Sequence, residues 1–126
     1  MPALNVLIVD DSAVMRKILE RSLRQTQIAI ATVTEASDGV DALQQLAADP
    51  AIQVVFSDLS MPKMDGLEFL RRIKSTDRLK SLPVVIVTSE GTESKVMQAI
   101  SLGAAGYIRK PFTPLQIQEA LYKLFP

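Results

Sequence analysis

Three aspartates, a threonine and a lysine each close a short apolar run. Val6-Leu7-Ile8-Val9 ends on Asp10-Asp11, and Ile52-Gln53-Val54-Val55-Phe56 leads through Ser57 to Asp58. Val84-Val85-Ile86-Val87 ends on Thr88-Ser89, and Gly106-Tyr107-Ile108-Arg109 ends on Lys110-Pro111. Carboxylates crowded at one place raise one another's pKa unless a cation intervenes. Lys110 is one such cation. A hard divalent ion, which prefers carboxylate, carbonyl and water oxygens, is another, and Mg²⁺ suits a set that offers few carboxylates and leaves its waters for a phosphate. A carboxylate beside such an ion can attack phosphorus and form an acyl phosphate. Lys110 and the ion would neutralise charge on the phosphoryl oxygens, and Thr88 could donate a hydrogen bond to one of them. Taken singly, an acid at a strand end also begins a loop or caps a helix, and Asp11-Ser12 reads as an N-cap pair. The joint occurrence at four run ends carries the functional reading.

Elements must bring these ends together. Apolar runs alternate with segments of helical period, which argues for βαβ units and a parallel sheet. In an open parallel sheet the carboxyl ends of the strands share one edge, where ligands bind. Strands are expected over Leu4–Val9, Ile28–Thr34, Ile52–Ser57, from Pro83, and over Gly106–Arg109. Helices are expected from Ser12, from Asp38 to a stop at Asp49-Pro50, after Gly66, from Thr92 to Leu102 with Gly103 as a left-handed cap, and from Pro114. Their inward stripes read Val14-Ile18-Leu19-Leu23, Val40-Leu43-Leu46-Ala47, Leu67-Leu70-Ile73 and Ile117-Ala120-Leu121-Leu124.

Composition narrows the chemistry. The chain of 126 residues fits one domain, 1–126, with an aliphatic core: 48% apolar but only 5% aromatic. Fourteen basic residues balance fourteen acidic ones, so there is no general pull toward nucleic acid or an anionic membrane. Cysteine is absent, which removes disulfide and thiol chemistry. Histidine is absent too, which removes a Ser-His-Asp triad, a histidine metal site and a phosphohistidine on this chain. The first apolar run is too short to span a membrane and has no basic leader. A soluble, cytoplasmic protein is expected.

The segments Val9-Asp10-Asp11-Ser12, Asp58-Leu59-Ser60-Met61-Pro62-Lys63-Met64-Asp65-Gly66, Thr88-Ser89 and Lys110-Pro111-Phe112 occur in the order and spacing of a known pattern. On them the chain resembles, from end to end, the receiver domain of bacterial two-component response regulators. The resemblance implies a flavodoxin-like α/β fold: a doubly wound, five-stranded parallel sheet of order 2-1-3-4-5 with five helices. It implies Asp58 as phosphoacceptor, Asp11 as a direct Mg²⁺ ligand, Asp10 acting mainly through water, and the Ser60 backbone carbonyl on the metal. Lys110 would pair with the phosphoryl group, Thr88 would move toward it, and Tyr107 would swing inward behind Thr88. Ser60 and Glu90 would flank the water that ends the phosphorylated state. The Lys110-Pro111 bond is usually cis in this family.

The implied partners are a histidine kinase as phosphodonor and an output protein, met by a monomer through the face of the fourth helix, fifth strand and fifth helix. The resemblance is to the stand-alone chemotaxis type, with a receiver cut from a larger regulator or hybrid kinase as the alternative. Leu115 and Tyr122 are seven apart, share a helical face with Gln118, and mark a candidate docking surface, although scattered exposed apolar residues are ordinary. Tyr107 on its own reads more readily as a plain strand residue with its hydroxyl in water; the resemblance reverses that reading. Asp65-Gly66 reads as a tight loop opening a helix, with Gly66 supplying backbone freedom.

Two other functions compete. An aspartate-nucleophile phosphohydrolase usually carries a second acid two residues beyond the nucleophile, where this chain has Ser60, and a cap segment that is not seen. A flavin-binding module would carry a Ser/Thr/Gly-rich loop where this chain has Asp10-Asp11. The expectation is therefore a signalling switch rather than an enzyme.

Overall fold

Runs of aliphatic residues buried at every position form the middle of the sheet. The computed structural model describes residues 2–89 and 93–126. Among them the strands are β1 (Leu4–Val9), β2 (Ile30–Ala36), β3 (Val54–Ser57), β4 (Val84–Thr88) and β5 (Gly106–Arg109). They alternate with α1 (Ala13–Arg24), α2 (Gly39–Ala48), α3 (Gly66–Lys74), α4 (Glu93–Ser101) and α5 (Pro114–Leu124). All neighbouring strands pair in parallel, in the order β2-β1-β3-β4-β5. β3 and β4 are buried throughout, as strands covered by helices on both faces should be. The doubly wound fold expected from the sequence is the fold observed.

Each face of the sheet has its own core. On one, Leu19 and Leu23 of α1 and Ile117 and Leu121 of α5 pack on Val6, Ile8, Phe56 and Val87. On the other, Ala42 and Leu46 of α2, Phe69, Leu70 and Ile73 of α3 and Ala99 of α4 pack on Leu7, Val9, Val55 and Ile86.

Several expectations shift. β2 begins at Ile30 rather than Ile28, and β3 at Val54 rather than Ile52. Ser12 and Asp38 are N-caps, accepting hydrogen bonds from Met15 N and Asp41 N, and do not start their helices. Val14 is 71% exposed and Ile18 43%, because α1 turns Leu19, Ser22 and Leu23 to the sheet instead. Val40 and Ala47 of α2 are exposed for the same reason, Ala42 and Leu46 taking the inner face. The inner face of α3 centres on Phe69, Leu70 and Ile73, with Leu67 only half-buried. Thr92, the expected start of the fourth helix, lies outside the described residues. Gly103 follows α4 with φ 102°, the left-handed cap its residue type suggests. α5 opens at Pro114 behind a capping box of Thr113 and Gln116.

Candidate phosphoryl-transfer site

The strand ends deliver their polar residues to one edge. β1 hands over Asp10, whose N–H donates to the Ala36 carbonyl at 3.1 Å; β3 hands over Asp58, whose N–H donates to the Val9 carbonyl at 2.9 Å. β5 hands over Lys110, whose N–H donates to the Thr88 carbonyl at 3.0 Å. The ladder thus continues past the strands and holds the backbone of each site residue. The Lys110-Pro111 bond is cis.

Carboxylate oxygens of Asp10, Asp11 and Asp58 lie within 4.8 Å of one another. Asp10 and Asp58 are buried, at 4% and 8% exposure, while Asp11 is exposed. Lys110 Nζ donates to Asp10 Oδ2 at 2.6 Å and to Asp58 Oδ2 at 3.0 Å. Asp58 Oδ1 accepts from Leu59 N at 2.7 Å, and Asp10 Oδ1 from Ser12 N at 2.9 Å. Thr88 is fully buried at the end of β4. The convergence expected from the strand ends is therefore present for Asp10, Asp11, Asp58 and Lys110.

Electrostatics follow from the burial. Desolvation pushes the Asp10 carboxyl up, and the Asp58 charge adds to this; hydrogen bonds from Lys110 and Ser12 N offset it only in part. Burial works against the charged form of Lys110, but hydrogen bonds and charge from Asp10 and Asp58 outweigh it and hold the ammonium above its ordinary range. The cluster therefore keeps its cation. Three hard oxygen donors in one place, with Asp11 facing solvent, fit a small divalent ion.

Other candidates fall out differently. Ser60 is exposed at the mouth of the site, and its N–H lies 3.4 Å from Asp58 Oδ1. Glu90 lies outside the described residues. Tyr107 is half-buried on the α2–α4 core. The Asp65-Gly66 loop opens α3 as expected, with Asp65 as its N-cap, accepting from Glu68 N at 2.9 Å. Gly66 has no left-handed φ; a Cβ there would stand 2.2 Å from the Asp58 carbonyl oxygen, so space rather than backbone freedom demands glycine.

Leu115 and Tyr122 are exposed as expected, at 59% and 44%, but neither lines the groove between β5 and α5. Half-buried Gln118 between them accepts the Gln27 N–H at 2.7 Å and so faces the turn after α1. The α5 residues that border β5 are Gln116, Glu119, Ala120 and Lys123, which with Tyr107 and Arg109 line a groove of about 320 Å³.

One contributor was missed. Arg16 Nη1 donates to the Asp10 carbonyl at 2.7 Å, and its Nε to Glu35 at 2.9 Å, pinning the acid-bearing turn to β2. A basic residue one turn after the acid pair was the available signal.

A family model described as the response regulator receiver domain matches residues 6–122. The chain is 36% identical over 118 residues to the chemotaxis protein CheY1 of Helicobacter pylori, covering 94% of each chain. It is 36% identical over 118 residues to the chemotaxis protein CheY homolog of Campylobacter jejuni, covering 94% of this chain and 89% of that one. Among solved structures, chemotaxis response regulator CheY4 of Vibrio cholerae superposes with a TM-score of 0.82 at 30% identity, covering 98% of this chain and 99% of the other. The CheX–CheY–BeF₃–Mg²⁺ complex of Borrelia burgdorferi superposes with a TM-score of 0.85 at 31% identity, covering 98% and 90%.

Proposed function

The chain belongs to the response regulator receiver family, and from that premise we propose how its residues operate a phosphorylation-dependent switch of the chemotaxis type. The observation that carries the reading is Asp58, buried at a strand end with one oxygen on a backbone N–H and the other on Lys110, beside two further aspartates.

Asp10, Asp11 and Asp58, with the Ser60 carbonyl, are the groups that would hold Mg²⁺. When bound, the ion supplies positive charge that shields the incoming phosphoryl oxygens from the acids. Asp58 attacks phosphorus; the bond from phosphorus to the donor breaks, and the donor departs with its electron pair. The family resemblance implies a phosphohistidine as donor, and with no histidine in this chain that group must sit on a partner. Lys110 stabilises the charge on the transferred group. The product adds about −1.5 to −2 charge and three acceptor oxygens at a place already crowded with acids. Thr88 turns toward those acceptors and Tyr107 follows, which carries the change to β5. Hydrolysis reverses the state, at a rate tuned by the side chains of Ser60 and Glu90.

The output surface assigned by this reading is the groove of Tyr107, Arg109, Gln116, Glu119 and Lys123, since Tyr107 belongs both to it and to the core beneath. No helix among the described residues is long and apolar enough to cross a membrane. The Borrelia complex, which pairs a related fold with another protein, BeF₃ and Mg²⁺, supports both the metal and the partner.

The test is incubation with acetyl phosphate and Mg²⁺ followed by mass spectrometry. One phosphoryl group is expected, on Asp58; chelation of Mg²⁺ or Asp58→Asn should abolish it. Full labelling of the Asn variant at another residue would overturn the assignment. Catalytic turnover of a phosphomonoester would favour a phosphohydrolase instead.

A further inference from the structure

Gly39 is buried at the start of α2 and lies against the loop that follows Asp58. Its N–H donates to the Met64 carbonyl at 3.1 Å. A Cβ on Gly39 would stand 2.7 Å from Met64 Cγ and 2.9 Å from both its Cβ and its Sδ. Atoms that close repel strongly. Rotating Met64 can carry Cγ and Sδ away, but Cβ is fixed to the backbone, so the loop itself must move.

Both sides of this contact are held. Asp38, next to Gly39, is 4% exposed and caps α2 through Asp41 N at 2.8 Å, while Ala42 and Leu46 anchor the helix in the core. In the loop, Met64 N donates to the Pro62 carbonyl at 2.6 Å around Lys63, whose φ is 65°. Gly66 N donates to the Leu59 carbonyl at 2.8 Å. A displacement at Met64 therefore has little slack to absorb it before it reaches Ser60 and Met61.

We propose that Gly39 is a positioning residue for the acceptor loop: its missing side chain lets Met64 seat against α2, and this contact sets where the Ser60 backbone stands relative to the Asp58 carboxylate. The inference rests on the roles given above to Asp58 and Ser60. Alanine is a better helix former than glycine, so Gly39→Ala does not weaken α2 through propensity. Its effect should appear in the loop.

The experiment compares wild type, Gly39→Ala, Met64→Ala and the double variant by amide NMR shifts, Mg²⁺ calorimetry and urea unfolding. Gly39→Ala should shift the amides of Ser60, Met61 and Met64 and weaken Mg²⁺ binding about tenfold, the lower end of what outer-sphere partners contribute to a metal site. Adding Met64→Ala removes the Cγ and Sδ contacts but keeps the Cβ, and should restore part of the lost affinity. Met64→Ala alone keeps Gly39 but opens a gap, and should also shift the Ser60 and Met61 amides, so it carries the test where Gly39→Ala does not fold. Unchanged loop amides and Mg²⁺ affinity in Gly39→Ala would overturn the proposal, as would a loss that Met64→Ala does not relieve. Absence of Mg²⁺ binding in wild type would overturn the functional reading beneath it, a result separate from the amide shifts that judge Gly39.

Discussion

Lys110 Nζ stands 3.0 Å from Asp58 Oδ2, while the other oxygen of Asp58 accepts the Leu59 N–H at 2.7 Å. Both oxygens of Asp58 are thus engaged, one by a fixed backbone donor and one by a side chain that can move. The same ammonium holds Asp10 at 2.6 Å. A divalent ion must share these acids with Lys110, and a phosphoryl group arriving on the Oδ2 side meets a cation already in place.

Lys110→Ala should therefore bind Mg²⁺ more tightly, not less. Removing a competing positive charge from a partly dry site favours the ion by about 1 kcal/mol or more. The same variant should lose the response to phosphorylation, because the ammonium that holds the phosphoryl oxygens is then missing. Calorimetry checks the first effect and amide shifts on addition of beryllofluoride check the second. Weaker Mg²⁺ binding, or a wild-type response, would refute this account.

Gly66→Ala should destabilise the fold by about 2–3 kcal/mol, the upper part of the range for forced overpacking. The added Cβ would meet the Asp58 carbonyl oxygen at 2.2 Å and Leu59 Cα at 2.7 Å, which are backbone atoms that cannot rotate aside. Urea midpoints measure the loss, and a variant as stable as wild type would show that the loop has slack.

The site was legible in the sequence because each functional side chain is chemically unlike the apolar run before it. Asp10, Asp58 and Lys110 fall at the ends of β1, β3 and β5, and those ends were correctly read. Strand starts and helix faces were harder. β2 is an edge strand with Ala31 and Thr32 exposed, so no continuous apolar run fixes its limits. Val14 and Ile18 have helical spacing like Leu19 and Leu23, and local periodicity does not say which stripe meets the sheet. Gln118 faces Gln27, and Arg16 reaches Glu35, only because the fold brings distant segments together.

Glu35 offers a pH test of the brace behind the acid pair. The hydrogen bond from Lys17 chiefly, with that from Arg16, holds its carboxyl below the ordinary 4.5. A carboxyl depressed in the folded state contributes stability above its unfolded pKa, and that contribution is lost as pH falls through the folded value. Glu35→Gln should be less stable than wild type at neutral pH by under about 1 kcal/mol, since the pair is partly exposed. Urea midpoints of the two proteins should converge as the pH is taken below 4.5. A gap that widens in acid would contradict the pairing.

The two sides of α5 should behave differently when the acceptor is occupied. Gln116, Glu119 and Lys123 share the groove with Tyr107 and Arg109, whereas Gln118 fastens the opposite side of the helix to Gln27. Tyr107 is packed on the core cluster that also contains Val9 and Ile86, whose strands lead to Asp10 and Thr88. The proposed switch would carry a change at Asp58 to the groove through Thr88, β5 and the Tyr107 ring. Leu115 and Tyr122 belong neither to the two core clusters nor to the groove lining. Side-chain NMR on adding Mg²⁺ and beryllofluoride should move the Tyr107 ring and Ala120 methyl signals while leaving the Tyr122 ring in place. Tyr107→Ala should abolish the Ala120 shift but still permit phosphoryl uptake on Asp58, because Tyr107 transmits the change and takes no part in the transfer. If the Tyr122 ring responds as strongly as Tyr107, or if Ala120 still shifts in the Tyr107 variant, the output does not emerge at this groove.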